Sequence, residues 1–311
     1  MKMSDTRPIR NVHRFALFTG GSTFFLLIAG ALVTSNDAGL AVPDWPLSYG
    51  SLTPPMVGGI FYEHGHRVIA ACIGLLSIVL AVWLWRVEPR RWVRNLGAAA
   101  VAAVVAQGLL GGVTVLFFLP PAVSSAHAAL AQLFFCTILG IALFTGSWWE
   151  RSRIIAADSA SPRIHALAAA TAAAVFVQLV LGAAFRHKGF GIIPHLCWAA
   201  VVTVLIFMLA RALRRRFAAV PVLRSAARWL LFVIGLQLLL GGAAWWSRIY
   251  AADFPQPIPV MITFTVIHTV MGALVLASTV LLTLVCHRIV QPREAQAPVA
   301  VSSSAMRSDR A

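Results

Sequence analysis

The chain has 311 residues, of which 59% are hydrophobic and only 11% charged, with a mean hydropathy of +0.83. A soluble domain carries about 25% charged residues, so this composition excludes an ordinary water-soluble fold and predicts an all-α polytopic membrane protein. The formal net charge of +15 does not point to nucleic acid, because the basic residues are distributed as a membrane topology distributes them.

A membrane span needs about 20 predominantly apolar residues, and eight such stretches occur, at about 14–34, 64–85, 96–119, 125–147, 164–185, 195–213, 227–246 and 261–286. The first is too long for a signal peptide and lacks a small-residue cleavage site, so it is expected to stay as an anchor. If the eight spans alternate, 21 of the 25 Lys and Arg residues fall on one side. The positive-inside rule then predicts a multi-pass protein of a cytoplasmic membrane with both termini in the cytoplasm. Arg67, Arg186, Lys188 and Arg248 are the exceptions, and orientation does not explain them.

Between the first two spans lies a long connection containing Thr34-Ser35-Asn36-Asp37-Ala38-Gly39-Leu40-Ala41-Val42-Pro43-Asp44-Trp45-Pro46-Leu47, rich in turn formers, acids and Trp. Loops of that length are usually functional or disordered. It leads to Phe61-Tyr62-Glu63-His64-Gly65-His66-Arg67, a cluster of ionisable groups at the mouth of an apolar run. Such groups are expensive in a membrane and by default mark a functional site. A plain helix start, with Glu63 at the positive end of the dipole and Arg67 snorkelling, is the other reading.

The third span carries Gln107-Gly108-Leu109-Leu110-Gly111-Gly112 and the seventh Gln237-Leu238-Leu239-Leu240-Gly241-Gly242, an offset of 130. His66 in the second span and His195 in the sixth are 129 apart; His127 in the fourth and His268 in the eighth are 141 apart. These offsets predict two parallel copies, folded as two pseudo-symmetric four-helix bundles: residues 1–150, residues 151–290, and a disordered tail at 291–311. The small residues in the repeated motifs suit close helix packing, or a flat cofactor lying against the glycines. Cys72, Cys136, Cys197 and Cys286 sit singly in the spans and read as small buried apolar residues.

Five of the nine histidines, His13, His64, His165, His187 and His287, lie at span ends or in loops. His66, His127, His195 and His268 instead lie near the start of the even-numbered spans, which all run in one direction, so the four share one outer depth. Single histidines in membranes are usually helix contacts, but two per half at one depth suit axial ligation of a haem in each bundle core. Zinc would want further N or S ligands nearby. Propionates of such haems would lie near the outer surface, within reach of Arg67, Arg186 and Arg248. The halves differ in one respect: Glu63 stands three residues before His66, where Ser124, Ile192 and Thr265 precede the other three histidines. This asymmetry predicts chemistry in the first half and a permanent redox haem in the second.

The run Gly30-Ala31-Leu32-Val33-Thr34, then Gly39-Leu40-Ala41-Val42-Pro43-Asp44-Trp45-Pro46-Leu47, then Glu63-x-x-His66-Arg67, with histidines in spans four, six and eight, resembles the haem A synthase family over residues 14 to 288. The resemblance implies a membrane oxidoreductase that converts haem O to haem A by oxidising a ring methyl to a formyl group. It implies that His66 and His127 bracket the substrate haem, that Glu63 is the catalytic carboxylate and that His195 and His268 bind haem b. Implied partners are haem O, the bacterial inner membrane, a haem O synthase and terminal-oxidase assembly factors, with the electron donor or acceptor and a homo-oligomer left open. Many bacterial members carry a cysteine pair in the first outer loop; Val42 and Ser48 stand at the matching positions here. The alternative function is a bis-histidine membrane cytochrome that carries electrons without modifying haem.

Overall fold

The computed structural model describes residues 7–250 and 252–292. Its long helices are α1 (Arg7–Ser35), α2 (Gly58–Val87), α3 (Arg91–Leu116), α4 (Pro121–Thr145), α6 (Ile164–Arg186), α7 (Ile193–Arg216), α8 (Pro221–Tyr250) and α9 (Pro259–Ile289), with a five-residue helix α5 (Ser147–Arg151) and two short strands, β1 (Ala156–Asp158) and β2 (Val290–Pro292). Among the described residues eight helices are long and apolar enough to cross a membrane, so the all-α membrane class holds. Several begin earlier than the apolar windows indicate. Proline at the first positions of α4, α7 and α9 starts those helices where no intrahelical N–H donor is needed. Buried hydroxyls inside the spans, such as Thr23, Thr171 and Thr279, donate to carbonyls one turn back, which spares them an unpaired place in the apolar interior.

In the first half α1 packs on α2, α2 on α3, α3 on α4, and α4 returns to α1; in the second, α6 packs on α7, α7 on α8, α8 on α9, and α9 returns to α6. The halves meet where α4 touches α6 and α9, and where α1 touches α9. The residues of α4 divide accordingly. Phe134, Ile138 and Ile141 join the apolar core of the first half, whereas Phe135 and Cys136 join that of the second. In consequence 56% of the α4 window and 50% of the α9 window are buried, against 22–33% for the other spans.

At the arginine-rich end, β1 and β2 pair in parallel with Ala156 opposite Val290. Gln291 and Pro292 therefore belong to β2, and the remainder of the expected tail, 293–311, lies outside the described residues. Of the cysteines only Cys136 and Cys286 are buried; Cys72 and Cys197 are exposed on the helix surface. The apolar thiol costs little against lipid, so the expectation of four buried cysteines does not hold.

Candidate functional site

His66, His127, His195 and His268 occupy the third to the tenth positions of α2, α4, α7 and α9, at the end of the molecule opposite the arginine-rich loops. Each imidazole lies against a glycine of the preceding long helix. A methyl added at Gly30, Gly111, Gly182 or Gly241 would stand 3.0, 3.3, 3.0 and 3.0 Å from Cε1 of His66, His127, His195 and His268 respectively. The same glycine-to-histidine contact therefore occurs four times, and only a residue without Cβ lets each ring come so close to its neighbour.

A glutamine stands one turn before three of these glycines: Gln107, Gln178 and Gln237. Gln107 Nε2 donates to the His127 carbonyl at 2.8 Å, and Gln178 Nε2 to the His195 carbonyl at 3.0 Å. Leu26 takes the matching place before Gly30. Gln178 completes a motif that the sequence comparison of two spans missed, because its helix carries Gly182-Ala183 in place of Gly-Gly.

The rings of His195 and His268 have centroids 6.3 Å apart and planes at 82°. With imidazole-to-metal bonds of about 2 Å and half a ring on each side, two rings clamping one iron stand about 6 Å apart. Nδ1 of His66, His127 and His268 is buried and makes no hydrogen bond within the protein. No group of three or more His, Cys, Asp or Glu that would suit a bare metal ion occurs among the described residues. Paired imidazoles, each seated on a glycine, fit a planar iron porphyrin better than tetrahedral zinc.

The two pairs differ in what covers them. Glu63, 4% exposed, accepts the Val42 N–H at Oε2 (2.8 Å) and pairs through Oε1 with Arg67 at 2.6 Å. The terminal nitrogens of Arg67 also donate to the carbonyls of Asp44 (2.7 Å), Leu47 (2.8 Å) and Val42 (3.3 Å). Arg67 thus anchors the loop between α1 and α2. Ser48 Oγ lies 2.8 Å from His64 Nδ1, so His64, which has no role on sequence grounds, clasps the same loop. Its partner is 16 residues away across a turn, which no helical spacing reveals. Val42 and Ser48 are 0% and 1% exposed and held without a covalent bond between them.

The loop is shaped from within as well. Tyr49 and Gly50 both have positive φ, 53° and 70°, and their N–H groups converge on the Asp44 carboxylate at 2.7 and 2.8 Å. These bonds, Gly50 first, hold the Asp44 pKa below its ordinary value. Trp45 reaches over to α3, where a methyl on Gly112 would stand 2.7 Å from its ring. Gly112 adjoins Gly111, the glycine beneath His127, so the loop roofs the first histidine pair from α2 to α3.

The second pair has a different neighbourhood. A cavity of about 620 Å³ is lined by Arg186, Lys188 and Arg248 together with Phe185, Phe190 and Trp245. The Arg248 guanidinium lies 5.5 Å from the Phe185 ring centre, and Arg186 donates to Ser35 of α1 at 2.7 Å. Among the described residues no carboxylate lines this cavity, so three cations share one opening. His187, just past α6, has its pKa pushed down to about 4 by burial, then by Arg186 and His127. It is a neutral imidazole at the seam of the halves, a placement that its position at a span end does not reveal.

The chain is similar to a family of proteins described as cytochrome oxidase assembly protein (COX15-CtaA), which matches residues 57–195. A Heme A synthase of Symbiobacterium thermophilum is 30% identical over 255 residues, covering 71% of this chain and 82% of that protein. A Heme A synthase of Exiguobacterium sp. is 30% identical over 185 residues (57% and 59%), and one of Alkalihalophilus pseudofirmus is 31% identical over 123 (38% and 41%). The length and identity of the first match, joined to the four glycine-seated histidines, establish that the chain belongs to the haem A synthase family.

Proposed function

We propose that this protein is a haem A synthase that oxidises a ring methyl of haem O to a formyl group, with haem O held between His66 and His127. A haem b held between His195 and His268 completes the reading, and supplies one-electron transfer when bound. The observation that carries it is the asymmetry of the two pairs: alike in their glycine seats, they differ in that only the first has a buried carboxylate and a roofing loop.

The roles of the chain's own groups follow from this arrangement. The imidazoles of His66 and His127 hold the substrate, and Gly30 and Gly111 fix the ring planes. Each Glu63 oxygen accepts one hydrogen bond from the loop or from Arg67 and keeps a further lone pair. The carboxylate is therefore able to take a proton beside His66 without releasing the loop. The loop, tied down by Arg67, His64 and Trp45, excludes water from that end of the bundle. Arg186 and Arg248, with Lys188 beside them, offer cationic partners to haem propionates at the seam. The first half, residues 1–150, carries the chemistry and the second, 151–290, the haem b site. In a bacterial cytoplasmic membrane the basic loops face the cytoplasm and the histidines lie toward the outer face.

Co-expression with a source of haem O, followed by chromatography of the extracted haems, tests the activity. Haem A and a hydroxylated intermediate are expected; an otherwise haem-loaded protein that yields neither refutes the proposal. Glu63→Ala should abolish product while the haem b spectrum persists, and His268→Ala should remove that spectrum. Loss of the haem b spectrum in Glu63→Ala would instead place Glu63 at the other site.

A further inference from the structure

Buried polar atoms left without a partner gather at the histidine seats, and they are of complementary kinds. Among the described residues Oε1 of Gln107, Gln178 and Gln237 accepts no hydrogen bond, and Nδ1 of His66, His127 and His268 makes none. An orphaned polar group in a buried place is costly and calls for a reason. Each glutamine stands one turn before the glycine that seats a histidine, with its amide against that histidine's helix. Gln107 and Gln178 donate to the backbone carbonyls of His127 and His195, and Gln178 Nε2 also lies 3.1 Å from His195 Nδ1. The amide nitrogen of Gln237 would lie 3.4 Å from a methyl on Gly272, one turn beyond His268.

The ring orientations agree with this placement. Measured from the methyl position on the seating glycine, Nδ1 is the nearer nitrogen of His127 (3.8 Å, with Nε2 beyond 4 Å), of His195 (3.2 against 4.0 Å) and of His268 (3.5 against 3.8 Å). Nδ1 therefore faces the helix that carries the glutamine, and Nε2 is the nitrogen left for a metal. His66 departs from the pattern twice. Its two nitrogens are equidistant from the Gly30 position, both at 3.6 Å, and Leu26 takes the glutamine's place on α1.

An imidazole that gives the lone pair of one nitrogen to a metal keeps an N–H on the other. A metal-bound histidine almost always donates that N–H to an acceptor, which fixes the ring and makes it a stronger ligand. We propose that Gln107, Gln178 and Gln237 are positioning residues whose Oε1 accepts the Nδ1–H of His127, His195 and His268 when these bind haem iron, and that His66, with leucine where the acceptor would be, is the weakly held ligand of its pair. The inference rests on the haem reading above and adds a division within the first site. His127 holds the ring, while His66 yields its place on the side of α2, the helix that also bears Glu63. The second site has an acceptor for each of its histidines and keeps both ligands.

Carbon monoxide, which needs a vacated axial position on ferrous haem, reads this on the full chain loaded with haem and reduced. One haem per chain should bind it. Leu26→Gln, which gives His66 the amide that the other three histidines have, should weaken that binding by about tenfold, the lower end of what outer-shell partners are worth to a metal site. Gln237→Leu should let carbon monoxide bind the second haem as well. Midpoint potentials separate positioning from packing: Gln237→Leu withdraws an acceptor and should raise the potential of that haem, whereas Gln237→Glu supplies a stronger one and should lower it. Carbon monoxide binding to both haems or to neither in the native protein overturns the inference. So does an unaltered affinity in Leu26→Gln, which decides alone if the Gln237 variants fail to fold, and so do potentials that move the same way in both of those variants. If the native protein shows haem with two imidazole ligands while the variants behave as native, the glutamine assignment fails and the haem reading stands. If no such haem is seen, both fail.

Discussion

One methyl group is the scale at which the histidine seats operate. A methyl on Gly182 or Gly241 would stand 3.0 Å from the ring carbon of His195 or His268, so alanine at either position must push an imidazole aside or separate two helices. Overpacking of this kind costs about 1–3 kcal/mol. On the proposed haem b reading, Gly241→Ala should therefore lower the haem content of the purified protein while the helical content persists; undiminished haem would mean that the ring does not need its close seat. The histidines and Glu63 were legible in the sequence because ionisable groups stand out in an apolar run. Their glycines were not, because glycine also serves ordinary helix packing and only the contact with a ring separates the two uses. The loop-anchoring of Arg67 was hidden for another reason: its acceptors are backbone carbonyls, which every residue has.

At the scale of elements the loop from 36 to 57 behaves as a built part with its own interior. Its bend depends on the Asp44 carboxylate accepting two N–H groups. Since the folded pKa of Asp44 lies below the ordinary 3.8, this contribution is fully present above that value and is lost as pH falls through the lower, folded one. Hydrogen exchange at Tyr49 and Gly50 should stay protected from neutral pH through the ordinary carboxylate range and fail only at lower pH, as the Asp44 carboxylate is protonated. Asp44→Ala should lose the protection already at neutral pH, and an unchanged exchange pattern in that variant would remove Asp44 from the account. The eight spans were readable from hydropathy alone, with ends displaced by up to several residues because charged and aromatic termini score poorly. The β1–β2 pair was not readable, since strand Ala156–Asp158 exists only through its partner at 290–292, far away in sequence.

For the whole molecule, the basic residues give a topology that can be measured: reporter fusions after the arginine-rich loops that follow α2, α4 and α7 should read as cytoplasmic, and one placed in the loop between α1 and α2 as external. The opposite pattern would reverse the proposed orientation. The packing of α4 on α6 and α9 was not visible in the sequence, because hydropathy records that a residue is apolar without recording which neighbour covers it. The divided packing of α4 has a consequence for biogenesis. When only the first four spans have left the ribosome, the face of α4 that bears Phe135 and Cys136 has lipid where α6 and α9 will later stand. Lipid solvates that face at little cost, so the nascent half is tolerated, and docking waits for side-chain fit once the last span is inserted. Halves made as separate chains, cut in the loop between β1 and α6, should consequently find each other in the bilayer and co-purify. If they stay apart, the seam is an accident of one chain's connectivity rather than a surface shaped for recognition.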